Sequence, residues 1–414
     1  MKKFTGFFIG LILLIAFEYI TYATDTQYTD GDYKYSVSED GYATIVDYSQ
    51  SDDATDLVIP STVSGYEVRA IGERAFASSE LTSVTIPSTV THIGRLAFYY
   101  SDYLETINIP SSVTNIEEYI GYRCTSLKNI SVEPHSWYYS SVDGSLFSAD
   151  KRTLIQYALG KEDTSYNVPD SVTAIEPYAF SDCRHLKSIY IPKDVYSIGY
   201  RAFDAVRLEK ITVNENNEFY CSYNHSLYDK NMFELIRYAG VEVIGEIPDG
   251  VEKIADYAFR CSPVTDLIIP KSVKQIGNDI SNFNKIYYKS SQSDWGLITK
   301  ENSNINNCSI YYDFDGSYAK GEITKCAIKM NSLTVTAEFD HMIKESLLIL
   351  AIKDQNGNLI KSVPINIEKN EENKSMYIEV PSDADWSNYK VYMYFFDKDN
   401  MVIPLGKSID KEII

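Results

Sequence analysis

Histidine is scarce in this sequence, and its five copies are scattered along the chain: His92, His135, His185, His225 and His341. None belongs to a His-Glu-x-x-His or similar metal-binding pattern. No Cys-x-x-Cys pair and no glycine-rich phosphate loop occurs, so the usual zinc and nucleotide signatures are missing. The many carboxylates include no pair that stands out as acid and base. We therefore predict no catalytic, cofactor-binding or metal-binding residue, and we expect that the protein is not an enzyme.

Positive charge is also in short supply. The 38 lysines and arginines are outnumbered by 58 aspartates and glutamates, which gives a formal net charge of −20. Such a surface repels nucleic acid and anionic lipid. We expect no nucleic-acid partner and no membrane insertion once a signal peptide is removed. The charge favours a cationic partner, although acidic exposed faces would also simply keep an exported protein soluble.

What the sequence does have is a repeat of about 23 residues, seen most clearly in Leu81-Thr-Ser-Val-Thr-Ile-Pro87 and Leu104-Glu-Thr-Ile-Asn-Ile-Pro110. Repetition at this period is typical of a solenoid, in which each coil must stack on its neighbours to bury its apolar side. Ile-Pro or Val-Pro steps occur at Pro60, Pro87, Pro110, Pro169, Pro192, Pro248 and Pro270, and a spacing of 22 or 23 residues separates neighbours such as Pro87 and Pro110, Pro169 and Pro192, and Pro248 and Pro270. Ala-Phe steps follow the same phase at Phe76, Phe98, Phe180, Phe203 and Phe259, with Phe76 and Phe98 22 residues apart and Phe180 and Phe203 23 residues apart.

Alternation within one repeat predicts its local structure. Leu81, Val84 and Ile86 fall where a short strand points its side chains inward, and the proline that follows ends that strand. A second extended piece leads to a corner at Gly94, which we expect to need a positive φ. The Ala-Phe pair that follows is interpreted as a helical turn that inserts its ring into the core.

Two units are longer than the others and are themselves alike. In the first, Leu127–Val132 is followed by Ser141–Phe147 and Leu154–Tyr157. In the second, Leu208–Val213 is followed by Asn224–Tyr228 and Leu235–Tyr238.

The run Leu-x-x-Ile-x-Ile-Pro-x-Ser-Val-x-x-Ile-Gly-x-x-Ala-Phe-x-x-Cys resembles the BspA-like leucine-rich repeat family from about Leu57 to Phe283. The longer units are similar to a variant repeat of that family, and Ile286–Lys289 with Asp294-Trp295 resembles its usual final coil. The resemblance implies a secreted or surface protein of adhesin type and names no ligand. The expected fold is mainly β, a solenoid of about ten coils with short strands and helical turns, followed by a small antiparallel β-sandwich.

The ends of the chain favour export. Lys2 and Lys3 precede an apolar run from Phe4 to Phe17, and Thr21-Tyr-Ala23 offers small residues for signal peptidase. A retained membrane anchor is the alternative. The predicted domains are a signal peptide (1–23), an N-terminal β-hairpin cap (24–56), the repeat solenoid (57–318) and the C-terminal β-sandwich (319–414). The predicted location is therefore secreted or at the cell surface.

Both flanking regions are predicted from strand patterns. The cap is interpreted as a hairpin of Tyr33–Val37 and Ala43–Val46 around Asp40-Gly41. The sandwich is predicted from alternating segments at Leu333–Ala337, Leu347–Lys353, Leu359–Ile367, Met376–Val380 and Tyr389–Phe396. Short strings in this last region resemble a C-terminal β domain of secreted bacterial proteins.

Three of the six cysteines, Cys124, Cys183 and Cys261, follow the aromatic step of a repeat, where the family resemblance implies a buried thiol. With another coil between them, the Cα atoms of the first two would be about 10 Å apart, too far for a disulfide. The remaining cysteines lie off the pattern, and one pair among them could oxidise: Cys221, Cys308 and Cys326.

Tyrosine is the one residue type in excess, with 35 copies. It supplies rigid contact area at recognition surfaces, but it also suits half-buried positions in strands. We predict binding residues in two clusters, Tyr99, Tyr100 and Tyr103 with Trp137, Tyr138 and Tyr139, and note a third pair at Tyr287 and Tyr288.

The predicted function is a non-enzymatic, adhesin-like binding protein whose repeat surface recognises an extracellular protein or glycan. A self-associating surface-layer component and a secreted carbohydrate-active enzyme are the alternatives. The sequence names neither the ligand nor the oligomeric state.

Overall fold

A computed structural model describes residues 26–49, 55–280, 283–301, 305, 308–312 and 314, and seven strands between 319 and 412. The predicted signal peptide lies outside these residues. The chain divides into two compact units: Met1–Lys187 with Pro192–Val206, and Ser188–Ile191 with Arg207–Ile414. The repeats form about 11 solenoid turns, close to the expected number.

The described secondary structure is almost entirely β. The first half of the strands are β1 (Tyr28–Asp30), β2 (Tyr33–Val37), β3 (Tyr42–Tyr48), β4 (Asp56–Val58), β5 (Thr62–Val63), β6 (Tyr66–Ile71), β7 (Ser83–Thr85), β8 (His92–Ile93), β9 (Thr106–Ile109), β10 (Asn115–Ile116), β11 (Asn129–Val132), β12 (Tyr139–Val142), β13 (Ser145–Ser148), β14 (Thr153–Gln156), β15 (Ser165–Asn167), β16 (Ala174–Ile175), β17 (Ser188–Ile191) and β18 (Ser197–Ile198).

The second half, with the α-helix, are β19 (Lys210–Val213), β20 (Tyr220–Tyr223), β21 (Ser226–Asp229), β22 (Glu234–Arg237), β23 (Ile244–Glu246), β24 (Lys253–Ile254), β25 (Asp266–Ile269), β26 (Gln275–Ile276), β27 (Lys285–Tyr288), α1 (Gln292–Leu297), β28 (Thr299–Lys300), β29 (Ser309–Tyr311), β30 (Ala319–Lys329), β31 (Ser332–Met342), β32 (Ser346–Lys353), β33 (Leu359–Ile367), β34 (Asn373–Glu379), β35 (Lys390–Asp397) and β36 (Ile409–Glu412).

Each coil contributes one short strand to each of two parallel sheets. In the first unit, β4, β7, β9 and β11 form one sheet, while β6, β8 and β10 lie side by side in the other. Equivalent residues of successive coils are in register, so that Val84 lies opposite Ile107, which lies opposite Ile130. All three side chains are buried. Both extended segments predicted for the repeat are confirmed.

The second unit repeats this arrangement. There β23, β25, β27 and β29 form one parallel sheet, and β22, β24, β26 and β28 pair in parallel in the other. Helix α1 belongs to the final coil and is capped by Ser291, whose side chain accepts a hydrogen bond from the Asp294 N–H. Its buried Trp295 meets the ring of Tyr288 edge-on at 5.1 Å.

The segment around the Ala-Phe pair is a run of tight turns, and the predicted helical turn was wrong. The N–H groups of Arg74 and Phe76 donate to the carbonyls of Arg95 and Ala97 in the next coil, whereas Ala75 donates back within its own coil. Arg74 has a φ of 56°, which is incompatible with a right-handed helix. The predicted burial of the phenylalanine rings is confirmed, and Phe76 stacks on Phe98 with ring centroids 5.6 Å apart.

Gly94 is needed for close approach rather than for a left-handed backbone, so the expectation of a positive φ was wrong. The left-handed residue of this corner is Leu96, with a φ of 58°. A Cβ atom on Gly94 would lie 2.8 Å from the Glu73 nitrogen and 2.8 Å from the Gly72 carbonyl carbon. The glycine therefore allows the backbones of two coils to pack together.

The two longer units each insert a three-stranded antiparallel meander, β12-β13-β14 in the first and β20-β21-β22 in the second. After each meander a tyrosine takes the place of the usual phenylalanine in the ring stack. Tyr157 lies 5.2 Å from Phe180, and Tyr238 lies 4.7 Å from Phe259. The likeness of the two units predicted from sequence is thus confirmed in their structure.

The predicted N-terminal hairpin is present. Strands β2 and β3 pair antiparallel around Gly41, whose φ is 77°. Strand β3 also pairs in parallel with β6, and the ring of Tyr48 lies 5.2 Å from that of Phe76. The hairpin therefore extends the sheet of the first coil and covers its ring stack.

Beyond the repeats, seven strands form two antiparallel sheets, β30-β31-β34 and β33-β32-β35-β36. All five strands predicted for this region are present. Sequence reasoning missed β30 and β36. The predicted domain boundaries at 24–56, 57–318 and 319–414 stay predictions.

Cys124 and Cys183 are buried as predicted, but Cys261 is exposed and that prediction was wrong. Each buried thiol lies three residues after the phenylalanine position of its repeat, which is Gly121 for Cys124 and Phe180 for Cys183. Cys261 lies only two residues after Phe259. It therefore takes the left-handed position that Arg123 holds in the repeat of Cys124, and the two residues have φ values of 59° and 64°. All described thiols are free, including those of Cys221 and Cys308, while the Cys326 side chain lies outside the described residues.

The thiols should differ in reactivity. Burial raises the pKa of Cys124 to about 12, so this thiol stays protonated near neutral pH, and it donates to the Phe98 carbonyl at 2.9 Å. Because the thiolate is the reactive form, we expect iodoacetamide at pH 8 to modify Cys261 first and to spare Cys124 until denaturant is added. Peptide mass spectrometry measures both rates, and equal native rates would contradict the burial pattern.

Coil packing should make one glycine indispensable and leave another free to change. In Gly277→Ala the new Cβ would lie 2.6 Å from the Asp256 nitrogen and 2.8 Å from the Ala255 carbonyl carbon. We expect the free energy of unfolding to fall by about 1–3 kcal/mol, as for other overpacked sites. Its control is Gly296→Ala in α1, where nothing lies within 4 Å, and where the helix should gain up to about 1 kcal/mol. Urea denaturation tests both, and equal effects would refute the packing argument.

Candidate binding face

The tight-turn segments of the first unit present a band of tyrosine and arginine side chains, here called the turn face. It consists of Tyr99, Tyr100, Tyr119, Tyr122, Tyr178 and Tyr200 with Arg74, Arg95, Arg123 and Arg201. Within each segment the buried residues alternate with outward ones, as Ala97 and Phe98 are followed by Tyr99 and Tyr100. Because the coils stack in register, the outward residues of neighbouring coils come together.

The tyrosine rings of the turn face contact one another from coil to coil. Tyr99 stacks on Tyr122 with centroids 5.8 Å apart and an angle of 17° between the rings. Tyr122 and Tyr119 each meet Tyr178 edge-on at 4.9 Å. Tyr178 in turn contacts Tyr200 at 6.3 Å. The result is a connected ladder of rings rather than separate exposed tyrosines.

An arginine lies over most of these rings at a distance typical of cation–π contacts. The guanidinium carbon of Arg123 is 5.0 Å from the Tyr100 ring centre and 5.8 Å from that of Tyr122. Its Nη1 also donates to the Tyr100 hydroxyl at 2.7 Å. The remaining pairs are Arg74 with Tyr99 at 5.5 Å, Arg95 with Tyr119 at 5.4 Å and Arg201 with Tyr178 at 5.1 Å.

Carboxylates lie beside three of the four arginines, at different distances. Arg95 is 3.7 Å from Glu73 and Arg123 is 3.8 Å from Asp182, both longer than hydrogen bonds. Arg201 makes a close pair of 2.5 Å with Asp204, which is buried. Glu118 also hydrogen-bonds to Tyr119, and Glu117 accepts from the Arg95 N–H, so the turn face carries closely placed charges of both signs.

Two tyrosines of this face, Tyr119 and Tyr178, have a raised pKa and stay neutral near neutral pH. Burial, together with a hydrogen bond to Glu118, raises the pKa of Tyr119 to about 12. Burial also raises the pKa of Tyr178, while the nearby Arg201 opposes that shift. Their hydroxyls thus act as hydrogen-bond donors and acceptors and carry no charge.

The predicted binding residues are only partly brought together. Tyr99 and Tyr100 belong to the turn face, whereas Tyr103 is exposed on the loop before β9. Trp137 and Tyr138 are exposed on the connection between β11 and β12, where Trp137 keeps 88% of its surface accessible. Whether any of them binds a ligand stays a prediction.

Three other tyrosines from the predicted clusters make structural contacts, and the predicted binding role of Tyr139 stays a prediction. Tyr139 is half-buried, and its hydroxyl accepts a hydrogen bond from the Ile116 N–H at 2.7 Å. Tyr287 and Tyr288 are buried in the second unit, so they offer little surface for binding.

Sequence reasoning missed the tyrosines of the turn face that lie outside dense clusters. Tyr119 and Tyr178 each stand two residues before the phenylalanine position of their repeats, at Gly121 and Phe180. Alignment of the repeats by that position, rather than a search for local runs of aromatic residues, would have placed both on one face.

Across the described ranges no cluster of three or more His, Cys, Asp or Glu side chains is suited to hold a metal ion. Within the same ranges no helix has the length and hydrophobicity that a transmembrane span requires.

Comparison with known proteins gives a family match. The model for "BspA type Leucine rich repeat region" matches six copies within residues 48–156, 161–278 and 226–310, more than half of the chain. No curated protein matches.

Several solved structures are similar to this chain. One is a leucine-rich cell surface protein of Faecalibacterium prausnitzii, with 24% identity, a TM-score of 0.34, and coverage of 67% of this chain and 99% of that one. Another is the pneumococcal vaccine antigen PcpA, with 19% identity and a TM-score of 0.38. The match covers 70% of this chain and 98% of that one. A leucine-rich repeat protein of Eubacterium ventriosum has 20% identity and a TM-score of 0.32. The match covers 62% of this chain and 94% of that one.

Proposed function

Since the chain belongs to the BspA-type leucine-rich repeat family, we propose that it is a non-enzymatic binding protein of the secreted or cell-surface type that recognises another protein. The apolar run from Phe4 to Phe17 supports export. The turn face is the observation that carries the proposal. A scaffold fixes shape, and binding resides in the side chains that it displays.

The composition of the turn face is that of a recognition surface. Tyrosine and arginine are enriched at protein interfaces and among their energetically dominant residues, whereas lysine is depleted. All four cations of the turn face are arginine, although lysine is the commoner basic residue of the chain. Stacked rings and guanidinium groups also lose little conformational freedom on binding, which favours affinity.

The test is saturable binding of the exported chain to an array of extracellular-matrix proteins, mucins and glycans. Residues 24–414 form the probe, and sedimentation of the same sample gives its oligomeric state. Binding to a protein on the array supports the proposal. Self-association without a foreign ligand, or cleavage of polysaccharides into new reducing ends, would replace it with a structural or an enzymatic role.

A matched pair of tyrosines tests whether the turn face is the site. Tyr200 on the turn face and Tyr196 near β18 have almost equal exposure, 54% and 55%. We expect Tyr200→Ala to raise the Kd for the array partner about tenfold, as for an interface residue that contributes strongly to binding. We expect Tyr196→Ala to leave the Kd unchanged. Surface plasmon resonance measures both values. Equal losses, or a loss only in Tyr196→Ala, would place the site elsewhere.

A further inference from the structure

We infer that the ligand of the turn face is an acidic polypeptide segment, whose carboxylates bind the guanidinium groups of Arg95 and Arg123. This inference rests on the proposed function and specifies its partner. It follows from the donors that the turn face presents to solvent and from the ion pairs that a ligand can replace.

Most ring faces at the centre of the ladder are already in use. Tyr99 stacks on Tyr122 and has Arg74 over its ring, while Arg123 lies over the rings of Tyr122 and Tyr100. Stacking of a sugar needs an open ring face, as does any other contact with the π system. Apart from the exposed ring of Tyr200, the groups left for a ligand are therefore mainly ring edges, hydroxyls and guanidinium N–H groups, which favours polar recognition over carbohydrate stacking.

These groups are mainly hydrogen-bond donors. A guanidinium carries five N–H donors and no acceptor. The Tyr100 hydroxyl accepts from Arg123, so its own proton is free to be donated outward. The Arg123 Nε–H is buried and points toward Asp182 at 3.8 Å, so the donors that a ligand meets are the terminal N–H groups of the guanidinium. A ligand that satisfies this surface must bring acceptors, and carboxylates are the strongest acceptors for arginine.

Two of the ion pairs on the turn face can give way to a ligand. The pair of Arg95 with Glu73 is long and exposed, and the pair of Arg123 with the largely buried Asp182 is too long for a hydrogen bond, so neither carboxylate saturates its arginine. A carboxylate at hydrogen-bond distance would be a better partner for either arginine. Arg201 differs, because its close contact with buried Asp204 makes it part of the fold.

The net charge of −20 opposes an acidic ligand only at long range. At physiological ionic strength, interactions between exposed charges are largely screened beyond about 8 Å. Contacts on the turn face are shorter than this, so the charges and donors of the turn face itself determine the local preference. Bidentate geometry also distinguishes arginine from lysine, whose ammonium group neither stacks on a ring nor pairs as a fork.

The experiment uses a short fluorescent peptide in which glutamate alternates with serine, together with otherwise identical glutamine and lysine versions. Fluorescence anisotropy with residues 24–414 should show the glutamate peptide binding at least about tenfold more tightly than either version. Arg123→Ala should weaken binding about tenfold, and Arg123→Lys should fail to restore it. Arg69→Ala is the control. Arg69 has similar contacts, because it stacks on the Tyr42 ring and pairs with Glu67, but it lies in β6 and not on the turn face.

Several results would overturn the inference. Equal binding of the glutamine peptide would show that carboxylates are not recognised. An equal loss of affinity in Arg69→Ala would show that the loss reflects the overall charge of the protein and not the turn face. If an array protein binds in a Tyr200-dependent way but the glutamate peptide neither binds nor competes, the proposed function stands and the acidic ligand is wrong. If neither the array nor the peptides bind, the proposed function itself fails.

Discussion

The hydrogen bonds that join successive coils are the constraint on which the rest of the structure depends. They run through both sheets and also through the turns, where Gly94 donates to the Ile71 carbonyl at 2.7 Å and Phe76 donates to Ala97 at 2.9 Å. Because backbone groups that are buried must be paired, every coil has to match the path of its neighbour. The constant phase of the repeat, the glycine that permits close approach, and the stack of phenylalanine rings all follow from this match.

The same register builds the turn face. Side chains at one repeat position lie one coil apart, so a tyrosine in successive coils yields a stack, as in Tyr99 and Tyr122. An arginine one coil away then reaches the ring of its neighbour, as Arg95 reaches Tyr119. Neither contact needs special local structure beyond the left-handed residues of the turns. Recognition surface is thus a direct product of stacking, with its chemistry set by whatever residue occupies the outward positions.

The solenoid could be predicted from sequence because its evidence is repeated many times along the chain. Details that depend on one residue were less predictable. The exposure of Cys261 follows from a shift of a single position relative to Cys183, and the role of Gly94 depends on the backbone of another coil. The turn face was missed in part because its tyrosines are neighbours across coils and not along the sequence. Periodicity reveals such rows only when the repeats are aligned by their buried positions.

Stability and recognition depend on different positions of each repeat. The inward positions, such as Phe98 and Cys124, are fully buried, so most changes there leave a cavity or an unpaired group. The outward ones contribute mainly surface contacts, whose individual energies are small. Replacement of Arg123 therefore removes guanidinium donors from the surface while the buried Phe98 and Cys124 keep their positions in the stack. A coil can change what it binds without changing how it stacks, so one repeat architecture can present different chemistry to different partners.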